Sequence, residues 1–481
     1  MLQKFVSVCY LAACLLGCTQ LFAQNSISQK TTTLQYLDNR FAEYQTIARN
    51  IWEFAEVGYK ENKSSALLQE TLRKEGFQVT NGQAGMPTAF IASYGSGSPV
   101  IAILAEYDAL PGLSQQAVPE KKTIQGQDAG HGCGHNLFGT ASVAAAVALK
   151  QLMASGQLKG TLRVYGCPAE EGGSGKVYLV REGFFKDVDV AIHWHPKDKN
   201  LVTMTSALAN TSAKFRFYGI SSHASMAPEK GRSALDGVEA MNYMANMMRE
   251  HIPQETRIHY VITQGGKAPN VVPDFAEVFY YVRHPKREMV QSIFERLVKA
   301  AEGAAKGTET KMDYEIIGGT HDLLINTSLA KMMQQNLELT GGVQYDAAET
   351  NFAQQLATSF TNPPTILSAK SIQPLQNFID AGGGSTDVGD VSYAVPTVGL
   401  ESATWVPGTS AHSWQAVACN AMGIGMKGMM VAAKTMALTA IDLFTNPAYI
   451  QQAKDEHRKQ VGNYQYKALL GTRNPALNYR D

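Results

Sequence analysis

The sequence predicts an α/β protein in which a small α+β domain is inserted into a larger α/β domain. Two observations carry this. First, continuous apolar runs of strand length, "PVIAIL" (99–104), "TLRVYG" (161–166), "VDVAI" (188–192) and "VPTVGL" (395–400), are separated by helical stretches such as "LFGTASVAAAVALKQLMA" (137–154). Continuous rather than alternating runs suit strands buried on both faces, and their alternation with helices is the α/β pattern. Second, residues 207–319 change character. "AKFRFYG" (213–219), "TRIHYVIT" (256–263) and "AEVFYYVR" (276–283) alternate as half-buried strands do, and "KMDYEII" (311–317) closes the series. Two amphipathic helices, 233–250 and 288–303, interrupt them, so the order is β-α-β-β-α-β, the split ferredoxin-like unit.

The remaining segments follow in chain order. Lys4 and the apolar run Phe5–Leu16 read as a signal peptide, too short to span a membrane. Cleavage after Ala23 in "LFAQ" gives a signal over 1–23; "LLGC" offers lipidation of Cys18 instead, and both routes export the chain to the periplasm. Residues 33–78 have helical spacing, as in "YQTIARNIWEFAEVG". The expected domains are therefore 33–206 and 320–445 for the larger one, 207–319 for the insert, and 446–481 for a loosely packed polar tail.

Composition excludes several classes. Apolar residues make up 44% and charged ones 17%, which is globular rather than disordered. Lys+Arg and Asp+Glu both number 42, so no net field favours nucleic acid or an anionic membrane. Beyond the signal only Cys133, Cys167 and Cys419 remain, an odd and scattered set that is no disulfide framework.

Polar groups collect where the buried runs end, the place where open α/β sheets bind ligands. Glu106 and Asp108 follow "PVIAIL"; Glu170 and Glu171 follow "TLRVYG"; His193 and His195 follow "VDVAI"; Glu401 and His412 follow "VPTVGL". "GHGCGHN" (130–136) precedes the helix at 137, with Asn136 as its expected N-cap and Cys133 and His135 able to turn to one point. A thiol beside a helix start should have a lowered pKa and bind metal as thiolate. "GGSGK" (172–176) lacks the glycine pattern of a phosphate loop, no G-x-S-x-G elbow exists, and Cys133 has no C-x-x-C partner. Side by side, one glutamate of the 170–171 pair can hold metal while the other activates water.

Taken in order, "GHGCGHN", "GCPAEEGGSGK", "WHP", "SSHAS", "APNVVPD", "STDVGDVS" and "HSWQ" resemble the metal-dependent aminoacylase/carboxypeptidase family, over nearly the whole mature chain. The similar branch is that of p-aminobenzoyl-glutamate hydrolases and related amidohydrolases. The resemblance implies a mixed-sheet, metallo-exopeptidase-like catalytic domain with the insert as lid and dimerisation surface. It implies that Cys133, His135, Glu171, His195 and His412 hold two divalent metals, with Cys133 bridging. His193 is the competing ligand in "HWHP"; the similar branch keeps "WHP", which favours His195. Thiolate and imidazoles suit Zn²⁺, and carboxylate with water tolerates Mn²⁺.

The same resemblance gives Glu170 the role of general base. It gives His223 contact with the scissile carbonyl across a homodimer, Asn270 and Arg283 the substrate carboxylate, and Asp108 the orientation of a ligand histidine. Asp108 is equally a turn residue before Pro111, and Asp387 lies on a glycine-rich loop near the site without an assigned role. The expected activity is hydrolysis of an N-acyl or N-aroyl amino acid, a small-molecule amide. Dipeptidase or hydrolytic deaminase activity on the same site, or a non-catalytic periplasmic binding protein, are the alternatives.

Overall fold

The computed structural model describes residues 26–480; the expected signal, 1–23 with Cys18, lies outside them. Among the described residues, eleven strands form two sheets: β1 (Gln78–Asn81), β2 (Phe90–Ser96), β3 (Val100–Ala105), β4 (Gly160–Gly166), β5 (Val190–Lys197), β6 (Leu201–Val202), β7 (Ala209–Tyr218), β8 (Arg257–Gln264), β9 (Phe275–His284), β10 (Lys311–Thr320) and β11 (Thr397–Ala403). The larger sheet is mixed, in the order β1-β2-β4-β3-β5-β11-β6. Its middle strands β4, β3, β5 and β11 are parallel, so their carboxyl ends open on one side. The outer strands pair antiparallel.

Every residue of β3 is buried, as its unbroken apolar run requires. The helices His135–Ala154 and Gly423–Thr445 pack on each other and on this sheet. Both are long and apolar enough to cross a membrane, but both are mostly buried in protein. A helix apolar on all sides is one covered on all sides.

Two local expectations are corrected here. The helix expected from 137 begins at His135, and its N-cap is Gly134 rather than Asn136. Gly134 has φ 80°, and a Cβ there would sit 2.8 Å from Pro196, so glycine is required. Asn136 lies inside the helix, where its buried amide donates to the carbonyls of Ala48 and Asn420, both at 3.1 Å. The run expected to stop at Ile192 continues as β5 through Lys197, because parallel pairing with β11 extends to Lys197 opposite Ala403. His193 and His195 are therefore strand residues rather than loop residues.

The second sheet is antiparallel in the order β10-β7-β9-β8, with helices Ala234–Met248 and Arg287–Gly307 packed on it. That is the ferredoxin-like arrangement read from the β-α-β-β-α-β order. It has a hydrophobic core of its own, including Phe215, Val238, Met241, Val278, Tyr280 and Leu297. Strand β8 is an edge, exposed at nearly every position.

The segment after 445 is not loose. Pro447–Val461 is helical, and the chain beyond it buries Ala468, Leu469 and Leu470. Two buried leucines contribute about 1.5–3 kcal/mol each towards holding this polar stretch in place. Aromatic anchors help: Tyr464 Oη meets His321 Nε2 at 2.8 Å, and Tyr466 Oη donates to Asp390 at 2.7 Å.

Candidate metal centre

The carboxyl ends of the parallel strands and the start of the His135 helix converge. Cys133 Sγ lies 3.4 Å from His195 Nε2. Asp108, just past β3, takes His135 Nδ1 at 2.8 Å through one oxygen and the Glu171 N–H at 2.9 Å through the other. It therefore ties the helix start to the loop after β4. His412, on the loop after β11, has Nε2 3.1 Å from Glu171 Oε1.

Metal-ligating atoms fall into three overlapping groups, in each of which they lie within 4.8 Å of one another. They are Cys133–His135–His195, Cys133–Glu171–His412 and Glu106–His135–Glu170. Cys133 belongs to the first two. His195, rather than His193, meets Cys133; His193 is buried and lines a small cavity with Leu323 and Ile325.

The donor set fits divalent metal. His135 Nε2 is 3.1 Å from Glu106 Oε2, and Glu171 Oε1 is equally close to His412, yet His135 Nε2, Glu106 Oε2 and Glu171 Oε1 are buried without a hydrogen-bond partner. Buried polar atoms are rarely left unpaired. Orphaned donors and acceptors turned on one another are what ligands of a common cation look like.

Electrostatics agree at His195 and not at Cys133. Burial pushes His195 down to about 3, assisted by the charge of His135, so its ring is a neutral lone-pair donor. Burial also opposes charge on His135, but the Asp108 and Glu106 carboxylates outweigh it and raise its pKa. The Cys133 thiol is raised, not lowered as expected: burial dominates and the Glu171 carboxylate adds to it. The start of the adjoining helix does not overcome that desolvation, so a thiolate here needs a cation beside it. Glu170 is held well above the usual carboxylate range by burial and by the Glu106, Glu171 and Asp387 carboxylates.

Sequence reasoning missed one arrangement. Lys176, fully buried, bonds Glu106 and Asp387 through Nζ, at 2.6 Å each, and Asp387 also accepts the Lys176 N–H at 2.9 Å. This gives Asp387 a partner and links it through Glu106 to His135. The signal was the strand-end position of Glu106; Lys176 belonged to the discarded "GGSGK".

The lid residues are not all brought together. His223 and Asn270 are exposed neighbours: the Ala224 N–H donates to the Asn270 carbonyl at 3.0 Å, and His223 bridges Val271. His223 Nδ1 accepts the N–H groups of Ser225 and Met226. Arg283 pairs in register with Asn210 at the start of β7 and stacks 5.3 Å over Tyr281. His223 follows the other end of β7, and at about 3.4 Å per residue the strand keeps these groups roughly 30 Å apart within one chain.

A model described as peptidase family M20/M25/M40 matches residues 102–436, a span that contains Cys133, His135, Glu170, Glu171, His195 and His412. The chain belongs to this family. Among its relatives is a p-aminobenzoyl-glutamate hydrolase chain of Escherichia coli (strain K12), 41% identical over 88% of this chain and 93% of that one. The Xaa-Arg dipeptidase of Mus musculus is 27% identical over 92% of this chain and 94% of its own length. The solved aminobenzoyl-glutamate utilization protein of Klebsiella pneumoniae, 18% identical, superimposes with TM-score 0.60 over 85% of this chain and 97% of that one, and shares the fold. As an M20-family protein with this ligand set, the chain is a metal-dependent amidohydrolase.

Proposed function

We propose that the chain hydrolyses the amide bond of an N-acyl or N-aroyl amino acid of the p-aminobenzoyl-glutamate type, at a dinuclear site of Zn²⁺ or Mn²⁺. The observation that carries the two-metal reading is that Cys133 belongs to two ligand groups, one with His135 and His195, the other with Glu171 and His412. The substrate class rests on the name of the Escherichia coli relative.

When bound, the ions supply Lewis acidity, lowering the pKa of a water and polarising the scissile carbonyl. The chain's own residues do the rest. Glu170 accepts the water proton on its carboxylate and returns it to the leaving amine. Asp108 holds His135 and the Glu171 backbone in register. His223 of a second copy donates to the developing oxyanion; its neighbour Asn270 comes from that same copy, and with Arg283 of the catalytic chain holds the substrate carboxylate, Arg through its planar fork.

A two-fold homodimer accounts for the distance between His223 and Arg283 in one chain. It also accounts for the exposed Tyr243, Met244 and Met247 on helix Ala234–Met248 beside Tyr260, Val261 and Ile262 on edge strand β8. Exposed edges invite pairing unless used. Cleavage after Ala23 would leave a soluble periplasmic enzyme, and processing before Cys18 would instead leave one lipid-anchored there. Dipeptide hydrolysis is the second reading, favoured by the relative named Xaa-Arg dipeptidase.

The test is turnover of a panel of N-aroyl glutamates, N-acyl amino acids and dipeptides with Zn²⁺ and Mn²⁺ added separately. N-Aroyl glutamates should lead by kcat/KM. Dipeptides leading by about tenfold or more, roughly 1.4 kcal/mol of transition-state preference, would replace the first reading with the second.

A further inference from the structure

The loop that carries Glu170 and Glu171 is conformationally costly. Ala169, Gly172 and Ser174 all have positive φ, at 56°, 102° and 60°. Such a loop persists only where its surroundings over-determine it, and several of its peptides are held from outside. Glu61 accepts the Ala169 N–H at 2.8 Å, Asp108 accepts the Glu171 N–H at 2.9 Å, and Tyr59 Oη donates to the Gly173 carbonyl at 2.7 Å.

One clamp comes from far away in the chain. Tyr479 Oη donates to the Glu171 carbonyl at 3.2 Å, across 308 positions, and Arg480 Nη2 donates to the same oxygen. The Tyr479 ring is seated edge-on against Tyr59, 5.6 Å between centroids, and Arg480 stacks on Tyr479. The fit is close: a Cβ on Gly58 would lie 2.2 Å from Tyr479 Oη. Upstream, the segment is anchored by Arg181 Nη1 to the Arg473 carbonyl at 2.7 Å and by Arg473 Nη1 to the Ile316 carbonyl of β10, also at 2.7 Å. A strap thus runs from the last lid strand to the peptide of Glu171.

We propose that Tyr479 and Arg480 are positioning residues for the metal centre: with Asp108 on the N–H and the Tyr479–Arg480 pair on the carbonyl, the Glu171 peptide is gripped from both sides, and this grip sets metal affinity. The inference rests on the reading of Glu171 as a ligand. Groups that orient a metal ligand typically change affinity by roughly 10-fold to 100-fold when removed.

The experiment is calorimetric titration of the metal-stripped full chain with Mn²⁺ alone, with melting temperature and kcat/KM alongside. Arg480→Ala should bind Mn²⁺ about 10-fold more weakly or worse. Arg480→Lys, which keeps the charge but loses the fork, should fall between it and the parent. Tyr479→Phe removes one hydroxyl, keeps the ring on Tyr59, and should weaken Mn²⁺ by about 3-fold to 10-fold; it reports even if Arg480→Ala does not fold. A purely structural strap would shift melting and leave the Mn²⁺ affinity of the folded protein unchanged. Parent-like affinity in every folded variant overturns the proposal. Glu171→Gln separates the two levels: if it binds Mn²⁺ like the parent, the ligand reading itself fails, whereas if it loses the ion while the strap variants keep it, only the clamp fails.

Discussion

Lys176→Met removes the cation that sits between two buried carboxylates. The Lys176 side chain is fully buried, with Nζ 2.6 Å from both Glu106 Oε1 and Asp387 Oδ1, whose own side chains are 2% and 1% exposed. Methionine matches the length of the stem but leaves both acids without this counter-charge. Breaking a buried pair by deleting one partner costs about 3–5 kcal/mol, because the surviving charge stays desolvated. At roughly 2–4 °C per kcal/mol for a large domain, the variant should melt about 6 °C or more below the parent. Neutralising an acid as well, in Lys176→Met with Asp387→Asn, should recover part of that loss, since fewer uncompensated charges remain. Differential scanning fluorimetry on the metal-loaded chain reads both. A Lys176→Met variant that melts within about 2 °C of the parent, less than 1 kcal/mol on the same scale, would show that Glu106 and Asp387 do not depend on this lysine for their charge balance, and the reasoning would be wrong.

Cys133→Ser should remain folded and lose bound metal by elemental analysis; two metals and full activity in the variant would remove the cysteine from the site. Glu170→Gln should keep its metal and lose kcat by roughly 10²–10⁴, whereas Glu171→Gln should lose metal, and equal metal loss in both would collapse the division of roles. Mixing inactive His223→Ala with inactive Glu170→Gln under subunit exchange should restore activity, because one site of a mixed dimer receives both intact residues; exchange without recovery would place His223 in its own chain's site or in none. Burial, with Asp108 nearby, raises Glu61 from 4.5 to about 8. A carboxyl raised in the fold stabilises most below its unfolded pKa and loses that contribution as pH rises through the folded value. Glu61→Gln should therefore gain on the parent in melting temperature between about pH 4.5 and pH 8, and a difference that stays flat across that window would count against the shift.

The sequence by itself determined the two-sheet plan and which polar strand ends gather at the candidate site. Continuous apolar runs are a local consequence of strands buried on both faces, and parallel strands bring their carboxyl ends to one side. Asp108, Glu170, Glu171 and His412 could therefore be read as neighbours before any distance was known. Cys133 and His135 were legible for a simpler reason, since one residue separates them. Tertiary structure alone decided what depends on desolvation or on contacts across the chain. Lys176 sits in "GGSGK", weighed in the sequence only as the end of a phosphate loop, and packing alone shows it sealed between Glu106 and Asp387. The Cys133 thiol is raised because burial outweighs the helix start, a balance no spacing encodes. The segment after 445 has polar composition, yet a few apolar and aromatic side chains carry Tyr479 and Arg480 onto the peptide of Glu171. Periodicity reports which face of an element is apolar; which charges share a cavity is set by how the elements close on one another.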